Sequence, residues 1–145
     1  MNASLLARAY GFLGLIEAAA AMAAYFFVLK NGGWTFGEQL AATDSLYLQA
    51  TSACLGAIIV MQMMNVWMCR SHIESVFKSG LFTNPVIYAG LLLEMVLLVV
   101  LIYTPIGQRI FGTAPLDTAV WWFILPFAVG MLLLEELRKA WLRSL

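Results

Sequence analysis

Charge is scarce in this 145-residue chain: Asp, Glu, Lys and Arg make up 11%, against about 25% in an ordinary soluble domain. Eight basic residues balance eight acidic ones, so the formal net charge is zero. No basic field is present to attract nucleic acid, and no polyacidic tail. There is a single histidine, His72, and there are two cysteines, Cys54 and Cys69. Their spacing matches no metal cluster, and both read as buried thiols. With no second histidine, no Ser or Cys nucleophile set beside a base, and no Gly-rich phosphate loop, nucleophilic and phosphoryl-transfer catalysis lack equipment here. A charged leader with a short apolar core and a small-residue cleavage site is also missing, so no cleaved signal peptide is expected.

What the chain has is apolar length. Hydrophobic residues make up 63% of it, and they gather in four blocks near the ~20 residues that an α-helix needs to cross about 30 Å of hydrocarbon. The expected fold is therefore all-α, a polytopic membrane protein with four transmembrane helices in a bundle, and its first partner is the lipid bilayer. The spans are predicted at about 9–29, 50–69, 85–103 and 118–134. Lys30-Asn31-Gly32-Gly33 stops the first with an anchor and two helix breakers. Asn84-Pro85 opens the third, where proline suits a first helical turn, and Thr104-Pro105 stops it. Asp117-Thr118 caps the fourth, Trp121-Trp122 sits at the interface, Pro126 predicts a kink, and Glu135 to Lys139 returns the chain to water.

Four spans put both ends and the middle loop on one side, with Arg8, Arg70, Lys78, Arg138, Lys139 and Arg143, six of the eight basic residues. Lys30 and Arg109 face the other side. The positive-inside rule then predicts cytoplasmic termini, with loops 30–49 and 104–118 outside.

Few residues inside the spans carry chemistry. Gln62 and Asn65 are three apart and share one helical face in mid-membrane, where amides need partners. Their oxygens either coordinate a hard cation or bond neighbouring helices. Glu94 is the sharper signal, since a carboxylate deep in a span normally faces a cavity, pairs, or holds a proton. Glu17 raises the same question, with a hydrogen bond to an adjacent helix as the plainer account. Met61, Met63, Met64 and Met68 near Cys69 invite a soft-metal reading, but neighbouring positions point different ways on a helix and packing explains them better. Gly11, Gly14, Ala18 and Ala21 form a small-residue stripe that would let helices approach closely. His72, beside Arg70 and Glu74, reads as a solvated loop residue.

The segment Arg8-Ala-Tyr-Gly-Phe-Leu-Gly14-Leu-Ile-Glu-Ala18, then Gln62-Met-Met-Asn65 followed by Cys69-Arg-Ser71, resembles the seventh and eighth transmembrane helices of type II P-type cation-transporting ATPases. Glu94 ahead of Tyr103-Thr-Pro105, then Trp121-Trp-Phe123, Pro126-Phe127 and Glu135-Glu-Leu-Arg-Lys139, is similar to the ninth and tenth. The resemblance covers nearly the whole chain and implies that residues 1–145 form a single domain, the C-terminal membrane domain of such a pump. It implies no ATP hydrolysis by this chain, because the family's Asp-Lys-Thr-Gly-Thr phosphorylation motif is not in it. The partners implied are the remaining helices and cytoplasmic domains of a P-type ATPase in the cell membrane. No catalytic residue and no cofactor is implied here beyond a transported cation. A split gene, a truncated remnant and a fragment each fit a chain that resembles the last four helices and starts with its own methionine.

Carried onto this sequence, Gln62 stands where the calcium-pump subgroup has a coordinating glutamate. Asn65 stands where the sodium/potassium-pump subgroup has an aspartate near its third sodium site, and Glu94 matches a ninth-helix glutamate near that site. Gln62, Asn65 and Glu94 are thus the candidate cation ligands. Two of the three are neutral amides, which weakens a calcium-like site because divalent ions favour carboxylates. The other reading is a stand-alone small membrane protein, an interaction or regulatory module for another transporter.

Overall fold

The computed structural model describes residues 11–68 and 84–144. They form five helices: α1 (Gly14–Asn31), α2 (Ser45–Met68), α3 (Pro85–Tyr103), α4 (Pro105–Phe111) and α5 (Thr118–Ser144). No strand occurs among the described residues. α1, α2, α3 and α5 are long and apolar enough to cross a membrane, so the fold is an all-α polytopic membrane bundle.

Local chemistry sets the helix ends. Gly32 N–H donates to the Val28 carbonyl at 2.9 Å, and Gly33, at φ +85°, turns the chain away from α1. α2 starts at Ser45, earlier than the expected 50, because the Asp44 carboxylate accepts from Leu46 N–H at 2.8 Å and supplies an N-cap. Asn84 does the same for α3, accepting from Val86 N–H at 3.1 Å with Pro85 in the first turn, as expected. Thr104 ends α3 and starts α4: its hydroxyl donates to the Val100 carbonyl at 2.6 Å and accepts from Gly107 N–H at 3.1 Å. The short α4 had no counterpart among the expected elements. α5 runs ten residues beyond the expected Leu134, to Ser144, with Pro126 inside it.

Two apolar clusters fix the topology. One joins Ala21, Ala24 and Val28 of α1 to Ala50, Ala53 and Ala57 of α2, with Leu98 and Ile102 of α3 and Val120 and Ile124 of α5. The other joins Leu13 and Ala20 to Met61 and Met68 of α2 and Ala128 and Met131 of α5. The start of α1 therefore lies beside the ends of α2 and α5, and successive spans alternate in direction. The α1–α2 seam is built of alanines, nearly all solvent-free, which let two helix backbones come close and gain dispersion contact where lipid supplies no hydrophobic drive. That seam corrects the expected stripe. Ala21 belongs to it, but Gly11 and Ala18 are exposed, and the matching small residues sit on α2.

α1, α2 and α5 make a three-helix core, whereas α3 leans on α2 and folds back as α4. Only Leu98 and Ile102 of α3 are buried. Side chains such as Leu92, Leu93, Val96 and Val99 face outward. The α3–α4 elbow is held by polar contacts to the backbone. Gln108 Nε2 donates to the Ile102 carbonyl at 2.8 Å, and the Thr113 hydroxyl donates to that of Leu101. The buried Ser52 hydroxyl donates to the Leu48 carbonyl at 2.7 Å and accepts from Ala114 N–H at 2.8 Å, tying the loop after α4 to α2.

Candidate functional site

α2 turns two chemically different sides to its surroundings. Met61 and Met68 point into the core at 0% exposure, and Met64 packs against the same cluster with Met131. Their side chains pack in or against the core, as the packing account of these three expects. Cys54 is a free, half-buried thiol packed against the first cluster. On the other side Gln62 is exposed, Asn65 half-buried and Val66 exposed. Steps of three and four residues keep these three on one helical face.

Glu94 comes to that side from α3. It is half-buried and lines a groove of about 380 Å³ with Val66 of α2 and Ile87, Gly90, Leu91, Leu93 and Leu97 of α3. No hydrogen bond or ion pair reaches its carboxylate among the described residues. The structure thus brings Glu94 against the residue next to Asn65, while Gln62 and Asn65 themselves do not line the groove. One carboxylate in an apolar groove is a site of low charge. A calcium ion takes about six to eight oxygens, more than this groove supplies. Among the described residues no group of three or more His, Cys, Asp and Glu side chains could hold a metal ion.

A second polar constellation escaped the sequence reading. Glu135 and Lys139 are fully buried near the end of α5, where the charged run was expected to re-enter water. Glu135 receives two bonds from Arg138, from Nε at 2.8 Å and Nη2 at 2.7 Å. Lys139 Nζ donates to the Met68 carbonyl at 2.9 Å and lies 3.8 Å from Glu136 Oε1. The signal was present in the i, i+3 spacing of Glu135 with Arg138 and of Glu136 with Lys139, which pairs opposite charges on a helix. Arg143 belongs to the same end of α5, and Lys30 and Arg109 lie at the opposite end of the bundle. Arg8, Cys69, Arg70, His72, Glu74 and Lys78 lie outside the described residues.

Four alternating spans, a carboxylate in an intramembrane groove and charges pinned at one helix end define a helical membrane domain built to pack beside others. A family model described as "Cation transporting ATPase, C-terminus" matches residues 1–141, and the chain belongs to that family. It is 28% identical over 168 aligned residues to the sodium/potassium-transporting ATPase subunit alpha of Drosophila melanogaster, covering 99% of this chain and 16% of that protein. The rat subunit alpha-4 is 27% identical and the human subunit alpha-2 25%, each with the same 99% and 16% coverage. The chain therefore spans about one sixth of the length of these relatives, and it corresponds to the membrane domain of a P-type cation-transporting ATPase.

Proposed function

We propose that residues 1–145 act as one domain, the last four helices of an ATP-driven cation pump in the cell membrane, with Gln62, Asn65 and Glu94 beside the ion pathway. The observation that carries this is Glu94: a carboxylate with no hydrogen-bond or ion-pair partner among the described residues, in an open groove lined by Val66 of α2 and by α3. A carboxylate at that depth is costly unless a cation, a proton or a polar partner meets it, and the open side of the groove leaves room for further helices to supply one. The α2 amides lie along the same face and add neutral oxygens. The core of α1, α2 and α5 holds α2 in register, so the bundle acts as a support against which mobile helices work. Catalysis resides elsewhere, in cytoplasmic domains that bind nucleotide, and this chain does not hydrolyse ATP by itself. Both termini lie in the cytoplasm. The cation is the pump's cargo, and no cofactor is held.

The experiment is a chimera in which this chain replaces the corresponding C-terminal segment of a sodium/potassium-transporting ATPase alpha subunit, assayed for ATP-driven cation uptake into vesicles. Uptake is expected to persist, and Glu94→Gln, which keeps the shape and removes the charge, is expected to lower apparent cation affinity about tenfold, the effect of ~1.4 kcal/mol. A correctly assembled chimera with no uptake defeats the support reading. Unchanged affinity in Glu94→Gln makes Glu94 structural.

A further inference from the structure

A second cavity, at the opposite end of the bundle from Lys139, answers to no part of the transport reading. It measures about 160 Å³ and lies where the end of α1, the start of α2 and the start of α5 meet. Its walls are apolar side chains, among them Phe27, Leu46 and Leu116, and three polar residues line it: Asn31, Gln49 and Asp117. We propose that this cavity binds a primary ammonium group, R–NH3+, with the Asp117 carboxylate as counter-ion and the side-chain oxygens of Asn31 and Gln49 as further acceptors.

The charge balance of this end of the bundle points to a cation. Glu38 is committed to Thr35, accepting from its backbone N–H at 3.2 Å and its hydroxyl at 3.4 Å. Asp44 is committed to Leu46 N–H at 2.8 Å as the cap of α2. Asp117 has no side-chain hydrogen bond or ion pair among the described residues, nor do Asn31 and Gln49. Neither Lys30 nor Arg109, the described basic residues at this end, lines the cavity. The cavity thus presents one negative charge and no positive one.

Donor chemistry narrows the class. An ammonium has three N–H donors and no acceptor, and the cavity offers three oxygen-bearing side chains, one of them ionised. A divalent metal needs more oxygens than these, and a quaternary ammonium has no N–H to give to the amides. The volume is close to the ~150 Å³ of apolar cavities known to admit a benzene-sized molecule, so a two-carbon ammonium fits. The apolar walls would meet its methylenes. Two sources share this chemistry, a free small amine and the ethanolamine headgroup of a lipid at the membrane surface.

The test uses the whole chain in phosphatidylcholine nanodiscs, titrated calorimetrically with ethanolammonium chloride and, in parallel, with choline chloride at equal ionic strength. Saturable binding of ethanolammonium with none of choline is expected, and Asp117→Asn should weaken it at least tenfold. Gln49→Leu gives a second reading should Asp117→Asn not fold, and a several-fold loss is expected there. A second arm compares the unfolding midpoint in phosphatidylethanolamine and phosphatidylcholine nanodiscs. A higher midpoint in the former that Asp117→Asn abolishes assigns the site to the lipid headgroup, whereas binding of the free amine with equal midpoints assigns it to a soluble ligand. No saturable binding and no lipid effect in folded protein overturns the proposal. Equal binding of choline overturns its ammonium N–H basis. The transport reading is untouched by either result, since Glu94 lies in a different groove.

Discussion

The ammonium of Lys139, near the end of α5, donates to the main-chain carbonyl of Met68, the last described residue of α2, at 2.9 Å inside a solvent-free contact. The bond joins residues 71 positions apart and fixes how far α2 slides along α5. Because Asn65 is three residues earlier on α2, the same bond sets the height of the candidate ion-pathway face relative to the core.

Lys139→Met keeps most of the side-chain volume and removes the donor. It leaves a buried carbonyl and the Glu136 carboxylate without the ammonium, a loss of about 1–3 kcal/mol for a charge-assisted bond. The chain should unfold at a lower midpoint in an SDS titration from mild detergent. An unchanged midpoint would mean that relief of the buried charge offsets the lost bond.

Tyr103 links the edge helix to the core: its hydroxyl donates to the Leu116 carbonyl at 3.0 Å and accepts from Trp121 Nε1 at 2.8 Å. Tyr103→Phe removes both bonds at once, for an expected cost of about 1–2 kcal/mol. Freed from its acceptor, Trp121 should also change its fluorescence maximum, and a variant with unaltered emission and stability would show that the relay contributes nothing.

The four spans were legible because length and hydropathy dominate in a bilayer, and the start and stop of α3 were legible because Pro85 and Pro105 mark them, whereas the capping bonds of Asn84 and Thr104 came with the fold. Less legible were features decided by neighbours. Glu135 to Lys139 reads as a return to water in isolation, yet pairing within α5 and a bond to Met68 carry the helix on to Ser144. Asp44-Ser45 carried a readable cap that extends α2 upstream, masked by the polar loop around it. Gly11 and Gly14 suggested the close-packing seam, but which face of α1 meets α2 depends on where α2 keeps its own small residues, Ala50, Ala53 and Ala57. For the site, residue type singled out Glu94, whereas only the fold shows that Val66, next to Asn65, shares its groove.

Orientation gives a further test. The bundle separates Lys30 and Arg109 from Arg138, Lys139 and Arg143, and the positive-inside rule predicts a cytoplasmic side for the end with the excess. A reporter active only outside the cytoplasm should stay silent when fused after Leu145. Activity there would reverse the bundle.

Glycine at 107 is enforced by backbone and not by conformation. A Cβ at that position would stand 2.3 Å from the Val100 carbonyl oxygen and 2.7 Å from Leu101 Cα, main-chain atoms of α3 that cannot rotate aside. Gly107→Ala must therefore push α4 off α3, straining the Thr104 cap and the bond from Gln108 to Ile102, with an expected penalty of about 1–3 kcal/mol for overpacking. Gly56 provides the contrast. Its added Cβ would meet side chains alone, the edge of the Trp121 ring at 3.1 Å and Leu116 Cδ1 at 3.7 Å, and a side chain can shift by a few tenths of an ångström. Gly56→Ala should cost less than Gly107→Ala while changing Trp121 emission, and Gly107→Ala should leave that emission nearly unaltered unless the elbow drags Tyr103 with it. Unfolding midpoints and fluorescence spectra of the two variants in the same detergent decide the matter: equal stabilities would mean that α4 does not rest on α3 as closely as the fold places it.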